Sequence, residues 1–411
     1  MLSQEQKKQF NEILEELGEN LDISETQHKA IEKSYEAVGD WLSKEDSELA
    51  PYNPIISPQG SFRLGTLIKP INEKDDLDID LVCELTGKKA SWTQADLKKA
   101  VGDRLKAHDT YKKMLDKEGR RCWTLKYSEA ANYHMDVLPS IVSNNYKVLL
   151  ENAFSDIQQT DVSNLAIKIT DTKLLPGYYI DTNPDKWLES NPFGYSRWFF
   201  NRATLDGVRL FSLNESVNPL PDFQSQKTPL QRVVQILKRH RDMMWFNRTD
   251  KDDKPISIII TTLATEAYNK ESNVIEALTN IIPKMRTYIR DRNPITGAVE
   301  KWVVNPVNNK ENFADKWKEY PARKDNFYDW LDNAENDIKN IVASSSRGVQ
   351  SISETMKKSF GEAVVTRTFS NIGNRQRILT EQGNTRFDTK LGIVAGAVNA
   401  IKPHNFFGNE D

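Results

Sequence analysis

A mixed α+β fold in two lobes is what this chain predicts, on three observations. Polar and apolar residues alternate along Leu77-Asp78-Ile79-Asp80-Leu81 until Val82, the signature of a strand. Apolar residues recur at helical spacing near the N-terminus and again from Leu230 onward. Between these regions, Pro219-Leu220-Pro221-Asp222-Phe223 sets two prolines where neither helix nor strand passes through, which predicts a boundary between residues 1–218 and 219–411.

The chain opens with two helices. Phe10, Ile13, Leu14, Leu17 and Leu21 make the buried stripe of the first; Ile31, Tyr35, Val38 and Leu42 make that of the second, which Ser24 caps. The turn Gly60-Ser61 follows. Gly60 lets the backbone approach a phosphate closely, and the Ser61 hydroxyl with nearby amides can donate to its oxygens. On the strand after it, Asp78 and Asp80 share one face while Leu77, Ile79 and Leu81 take the other, so two carboxylates lie one pleat apart, where a divalent cation suits them. Residues 122–127 and 133–138 read as two more strands, the second stopped by Pro139 and joined to the first by a short connection carrying Asn132. An antiparallel hairpin there brings Asp136 beside the Asp78 strand. It is the third carboxylate needed if two metals are to sit roughly 3.5–4 Å apart. His134 shares the face of Asp136, and a satisfied core histidine is the simpler reading of it.

Beyond the proline boundary, Thr228 caps a helix with Pro229 in its first turn, and Leu230, Val233, Val234 and Leu237 form its buried stripe. Gln231, Gln235, Lys238 and Asp242 line one polar flank of that stripe, from which Lys238 can reach into a cleft. Residues 274–288 and 326–342 read as further helices, and 305–309 as a turn-rich loop that fixes architecture. The aromatic cluster Trp302, Phe313, Trp317, Tyr320, Phe327, Tyr328 and Trp330 reads as core. In the tail, Gly373-Asn374 reads as a turn, residues 391–398 form an apolar run, and the aromatics of 404–408 dock onto the body.

Composition narrows the class. Lys and Arg number 56 against 59 Asp and Glu, a net charge of −3, whereas a protein that holds a long nucleic acid normally carries a basic surface. No apolar run approaches the ~18 residues that span a bilayer, and the acidic amphipathic N-terminus is unlike a signal peptide, so the cytoplasm is the expected compartment. Cys83 and Cys122 are the only cysteines, too few for a four-thiolate zinc site, and both read as small buried hydrophobes.

Gly60-Ser61, Asp78-x-Asp80 and Asp136 resemble the signature of polymerase-β-type nucleotidyltransferases. The surrounding residues resemble the CD-NTases, the bacterial relatives of cyclic GMP-AMP synthase and oligoadenylate synthetase that serve CBASS antiphage systems. The likeness runs on through Thr228-Pro229-Leu230-Gln231-Arg232, Lys238-Arg239-His240-Arg241-Asp242, Lys254-Pro255-Ile256-Ser257 and Asn305-Pro306-Val307-Asn308-Asn309, covering most of residues 50–330. It implies a polymerase-β-like nucleotidyltransferase core, a helical oligoadenylate-synthetase-like second lobe and a second helix that forms a spine behind both. It also implies Mg²⁺, with Mn²⁺ able to replace it, on Asp78, Asp80 and Asp136, and a triphosphate held by Gly60, Ser61, Lys238 and Ser257. Under that resemblance, ATP and other nucleoside triphosphates become a cyclic di- or trinucleotide second messenger containing at least one adenosine, and pyrophosphate is released. Its partners would be regulatory or effector proteins of a defence operon, with no long nucleic acid and no membrane. The run Ile258-Ile259-Ile260-Thr261-Thr262 has strand propensity, yet the resemblance places it in a helix whose N-terminus suits phosphate. Lys238→Ala is expected to weaken nucleotide binding and leave the ligand-free melting temperature unchanged. A linear nucleotide-adding enzyme, extending RNA or AMPylating a protein, would use the same three carboxylates and stays open. A non-catalytic nucleotide-binding module would have no reason to keep three mutually repelling acids together.

Overall fold

The alternation around Asp78 and Asp80 does form a strand, and the sheet built on it positions everything that follows. A computed structural model describes residues 2–72, 75–127, 132–155, 162–205, 223, 226–382, 385–388 and 392–395. Helices α1 (Gln4–Leu21) and α2 (Glu25–Ser43) open the chain, each with a complete capping box at Ser3 and Ser24. Strand β1 (Ile55–Pro58), the one-turn helix α3 (Gly60–Arg63) and strand β2 (Leu77–Leu85) come next. Helix α4 (Gln94–Lys106) crosses over to the hairpin of β3 (Trp123–Lys126) and β4 (Tyr133–Ile141), and β5 (Ile167–Ile169) and β6 (Leu188–Ser190) complete the sheet.

The strand order is β1-β2-β4-β5-β6, with β3 also paired to β4. β2 and β4 are parallel and the other pairs antiparallel. A parallel pair needs a long connection, which α4 and the incoming β3 supply. Ile79, Leu81, Cys83, Leu125, Met135 and Val137 pack with α2 and α4 into one core, so the acids that alternate with them face the other way. Pro139 does not end β4 as the sequence suggested. It falls between the last β3 partner, at Val137, and the first β5 partner, at Ser140, where that edge of the strand has no neighbour to miss its N–H.

The helical lobe contains α5 (Pro192–Ala203), α6 (Pro229–Trp245), α7 (Ser257–Ala267), α8 (Val274–Met285), α9 (Pro321–Ser344), α10 (Val349–Phe360) and α11 (Glu362–Glu381). Its core includes Phe10, Ile13, Leu14 and Leu17 of α1, whereas the stripe of α2 joins the core of the sheet, so the two opening helices serve different lobes. The β-branched run is helical because Ile259, Ile260 and Leu263 are buried. The hydroxyls of Thr261 and Thr265 turn back to the carbonyls of Ser257 (2.9 Å) and Thr261 (2.7 Å). Gly373-Asn374 is not a turn: both lie within α11, whose Ile372 is buried and whose Asn371 and Arg375 reach Glu16 of α1 at 2.7 and 2.5 Å. Residues 305–309 contribute to a small hairpin of Val304–Asn305 with Asn308–Asn312, in which the side-chain Oδ1 of Asn312 accepts from the amides of Val303 and Ala314. The proline boundary at 219–222 and the aromatics of 404–408 lie outside the described residues, as does half of the apolar run 391–398, whose residues 392–395 form a strand. Among the described residues, no helix is long and apolar enough to cross a membrane.

Candidate active site

Register carries the site. In the parallel pairing of β2 with β4, Asp80 stands opposite Asp136 and Asp78 opposite His134. One oxygen from each of Asp78, Asp80 and Asp136 lies within 4.8 Å of the other two. Burial pushes the Asp80 carboxyl up to about 7, with the charges of Asp78 and Asp136 adding to it and those of Lys238 and His134 opposing it. Three oxygen donors at this spacing, one of them raised by burial and then by the charges of the other two, fit a hard divalent cation.

Each acid is oriented by a neighbour. Thr124, opposite Asp136 on β3, donates its hydroxyl to Asp136 Oδ1, and the Cys122 thiol also hydrogen-bonds this carboxylate while burial pushes the thiol up to about 12. The His134 Nε2 lies 3.2 Å from Asp78 Oδ1, and that hydrogen bond leads the causes that raise the imidazole above its ordinary value. His134 is therefore no core histidine. Its side chain is 27% exposed and bears on a carboxylate of the site. Cys122, likewise, is half-buried just ahead of β3 and not a purely structural residue.

Gly60 is demanded twice. Its φ is +60°, and a Cβ there would sit 2.4 Å from Asp80 Oδ2. The Gln59 amide donates to the Asp80 carbonyl at 2.9 Å, which locks the turn to β2. Gly60 and Ser61 border a cavity of about 700 Å³ between the lobes, also lined by Asp78, Asp80, Lys238, Arg241, Lys254 and Ser257. Asp136 does not line it and joins the cluster from β4. Of the seven aromatics predicted to be core, Phe313 lines this cavity, edge-on to Tyr195 with centroids 6.1 Å apart. Trp302, Trp317, Phe327 and Trp330 are buried, while Tyr320 is 43% exposed.

Lys238 is buried, and burial pushes its ammonium down to about 7. Its Nζ donates to the Thr66 carbonyl at 2.9 Å, one of four such contacts from α6. Gln231 reaches the carbonyl of Leu64 (2.9 Å), Gln235 that of Leu67 (3.0 Å) and Arg239 that of Lys69 (2.7 Å). The polar flank of α6 thus grips the loop between the Gly-Ser turn and β2. This changes the expectation for a variant. Lys238→Met should weaken nucleotide binding by about tenfold, as loss of a charge-assisted hydrogen bond does, and should also lower the ligand-free melting temperature because Thr66 loses its donor. Unaltered affinity by titration would return Lys238 to a purely structural role.

Ser257 begins α7 at the cavity wall, its hydroxyl accepting from Arg241 Nη1 at 2.8 Å. Arg241 also bonds the Pro255 carbonyl (3.1 Å) and Asp242 (2.8 Å), and Asp242 holds Lys254 at 3.0 Å. Arg241 and Lys254 add cations that bulk composition could not reveal. The sequence offered one signal for them, the basic run Lys238-Arg239-His240-Arg241 on a helix beside the cleft.

Residues 7–160 match the Second Messenger Oligonucleotide or Dinucleotide Synthetase domain family. Over the whole length of both proteins the chain is 26% identical to a c-di-GMP synthase of Roseivirga ehrenbergii. It is 23% identical to the cyclic dinucleotide synthase CdnG of Bradyrhizobium diazoefficiens, across 95% of this chain and 91% of that one. The structure of the latter in complex with GTP superposes with a TM-score of 0.64 at 19% identity, covering 88% of this chain and 99% of the other. The parallel β2–β4 pair, the three acids, the Gly-Ser turn and the helical lobe are all in place, and in sequence and fold the chain is similar to these cyclic dinucleotide synthases.

Proposed function

We propose that this chain binds nucleoside triphosphates in the 700 Å³ cleft and joins them without a template into a cyclic dinucleotide, with GTP among its substrates, alone or beside ATP. The observation that carries this reading is the convergence of Asp78, Asp80 and Asp136 against the Gly60-Ser61 turn. The names of two full-length relatives, a c-di-GMP synthase and a cyclic dinucleotide synthase, support the cyclic product and the guanine base. Asp78, Asp80 and Asp136 would hold Mg²⁺, with Mn²⁺ able to replace it; when bound, it neutralises phosphate charge and lowers the pKa of the acceptor hydroxyl. The chain's own groups do the positioning. Gly60 and Ser61 admit the triphosphate next to Asp80, and the α7 amides with Ser257, Lys238 and Arg241 offer it donors, so the α-phosphorus is held in line with the attacking ribose hydroxyl. His134 orients Asp78 through the contact of its Nε2 with Oδ1. Ring closure requires the linear intermediate to return its own 5′-triphosphate to the same place. Such a messenger belongs in the cytoplasm and would act on an effector protein in antiphage defence.

The deciding experiment incubates purified protein and Mg²⁺ with each labelled nucleoside triphosphate, singly and in pairs, followed by phosphatase and mass analysis. A phosphatase-resistant product with the mass of a cyclic dinucleotide is expected. A phosphatase-sensitive ladder that lengthens with time would mean a linear polymerase, and label transferred to protein an AMPylating enzyme; either result leaves the carboxylate assignment standing.

A further inference from the structure

Among the described residues the walls of the cleft carry six carboxylates, and five have an evident place. Asp78 and Asp80 belong to the cluster of three acids, Asp242 is paired with Arg241 and Lys254, and Asp76 and Asp252 are exposed. Glu311 is the sixth. It is half-buried on the strand Asn308–Asn312 and forms no ion pair among the described residues. Two residues on, and so on the same side of the extended chain, Phe313 lines the cleft with it. Asn305 on the facing strand is 4% exposed. Its Nδ2 donates to Glu311 Oε2 at 2.7 Å and its Oδ1 accepts from the Val307 amide at 3.0 Å, which fixes the orientation of both side chains.

The other oxygen, Glu311 Oε1, accepts from no group among the described residues and is not sealed from solvent. Burial raises this carboxyl above its ordinary value; the Asn305 bond and the Arg121 charge draw it back, and Asp315 adds to the rise. A carboxylate here repels phosphate, so it meets the other end of a nucleotide. An acceptor-only group held beside a ring suits a flat partner with two neighbouring donors. Guanine is such a partner: N1–H and the 2-amino group stand side by side on its Watson–Crick edge, where adenine presents N1, an acceptor. Phe313 supplies ring surface for a base and is steadied edge-on by Tyr195, whose hydroxyl is tied to that of Thr262 at 2.8 Å. We propose that Glu311 selects guanine in this cleft, taking N1–H and the 2-amino group on Oε1 and the remaining lone pair of Oε2, with the base laid against Phe313. The inference rests on the reading of the cleft as a nucleoside triphosphate site and extends it to the choice of base.

Full-length wild type and Glu311→Gln are titrated, in the presence of Mg²⁺, with the α,β-methylene analogues of GTP, ATP and ITP. Wild type should bind the guanine analogue about tenfold or more tightly than the adenine analogue. It should prefer guanine by about the same factor over hypoxanthine, which keeps N1–H but lacks the 2-amino group and so forfeits one charge-assisted hydrogen bond. In Glu311→Gln the Asn305 bond holds the amide oxygen in the place of Oε2 and turns the amide nitrogen toward the cleft. There it donates to adenine N1 and opposes the donors of guanine. The guanine-to-adenine affinity ratio should therefore fall about tenfold or more, and the hypoxanthine penalty should vanish. A smaller change in the ratio, equal weakening of both analogues included, is what a merely structural residue gives, and it overturns the proposal. A wild type that binds the guanine and hypoxanthine analogues alike also overturns it, and that measurement needs no variant to fold. If no analogue binds wild type, the nucleotide reading falls and the inference with it; binding of all three without preference removes the choice of base alone.

Discussion

Asp80→Asn should abolish product formation, lowering turnover by roughly a hundredfold or more, and should at the same time make the metal-free protein more stable at pH 8. The second half follows from where Asp80 sits. Burial first, then Asp78 and Asp136, push its carboxyl from 3.8 to about 7 in the folded chain, so the native state holds a proton that the unfolded chain releases. Stability contributed by that protonated carboxyl is full below pH 3.8 and is lost as the pH rises through about 7. Above that range the ionised acid is a burden that asparagine does not share. Without metal, the variant should melt about 1–3 °C above wild type at pH 8 and no higher than wild type at pH 4. Saturating Mg²⁺ should reverse the order at pH 8, because it stabilises only the intact site. Melting curves at two pH values with and without metal read all of this. A variant that turns over like wild type, or that is less stable than wild type at pH 8 without metal, would remove Asp80 from the proposed metal site.

Gly60→Ala should separate activity from stability more sharply. Alanine in a left-handed conformation costs roughly 1–2 kcal/mol, a small part of the stability of a chain whose described residues form three hydrophobic cores. The atom its Cβ would strike, Asp80 Oδ2 at 2.4 Å, is the tip of a side chain that can swing away. Swinging away is what the chemistry cannot tolerate. A displacement of about 1 Å at a reacting group is enough to reduce turnover about 10²-fold. The expected result is a folded protein, melting within a few degrees of wild type, with kcat down about a hundredfold. Near-normal kcat would show that the Gly-Ser turn can retreat from Asp80 at no functional loss.

How much of this was legible beforehand depends on the range of the signal. Asp78 and Asp80 were readable because a period of two is local, and Thr228-Pro229 because a cap and its helix are adjacent. Asp136 was found through a hairpin, but the pairing that places it, the parallel register with β2, spans more than 50 residues and leaves no local trace. His134 was misjudged for the same reason, since its partner Asp78 is set by that register. The Gly373-Asn374 pair looked like a turn because local propensity favours one, and the packing of α11 on α1 overrode it. Lys238 was correctly brought to the cleft, yet its bond to Thr66 depends on how two lobes dock, which no spacing within α6 encodes.

The grip of α6 on the loop Leu64–Lys69 also bears on timing. A two-step cyclase has to turn its linear intermediate around between the first bond and the second. Parting the walls to do so would strand the carbonyls of Leu64, Thr66, Leu67 and Lys69 and expose the buried donors that hold them. These bonds favour walls that stay together, and the prediction for a cyclase built this way is that the intermediate leaves and re-enters. Ring closure then becomes a race between rebinding and diffusion, won more often when the intermediate is allowed to accumulate. Unlabelled linear dinucleotide added to a running reaction should dilute the label in the ring, and undiminished label would mean that the intermediate turns without ever leaving.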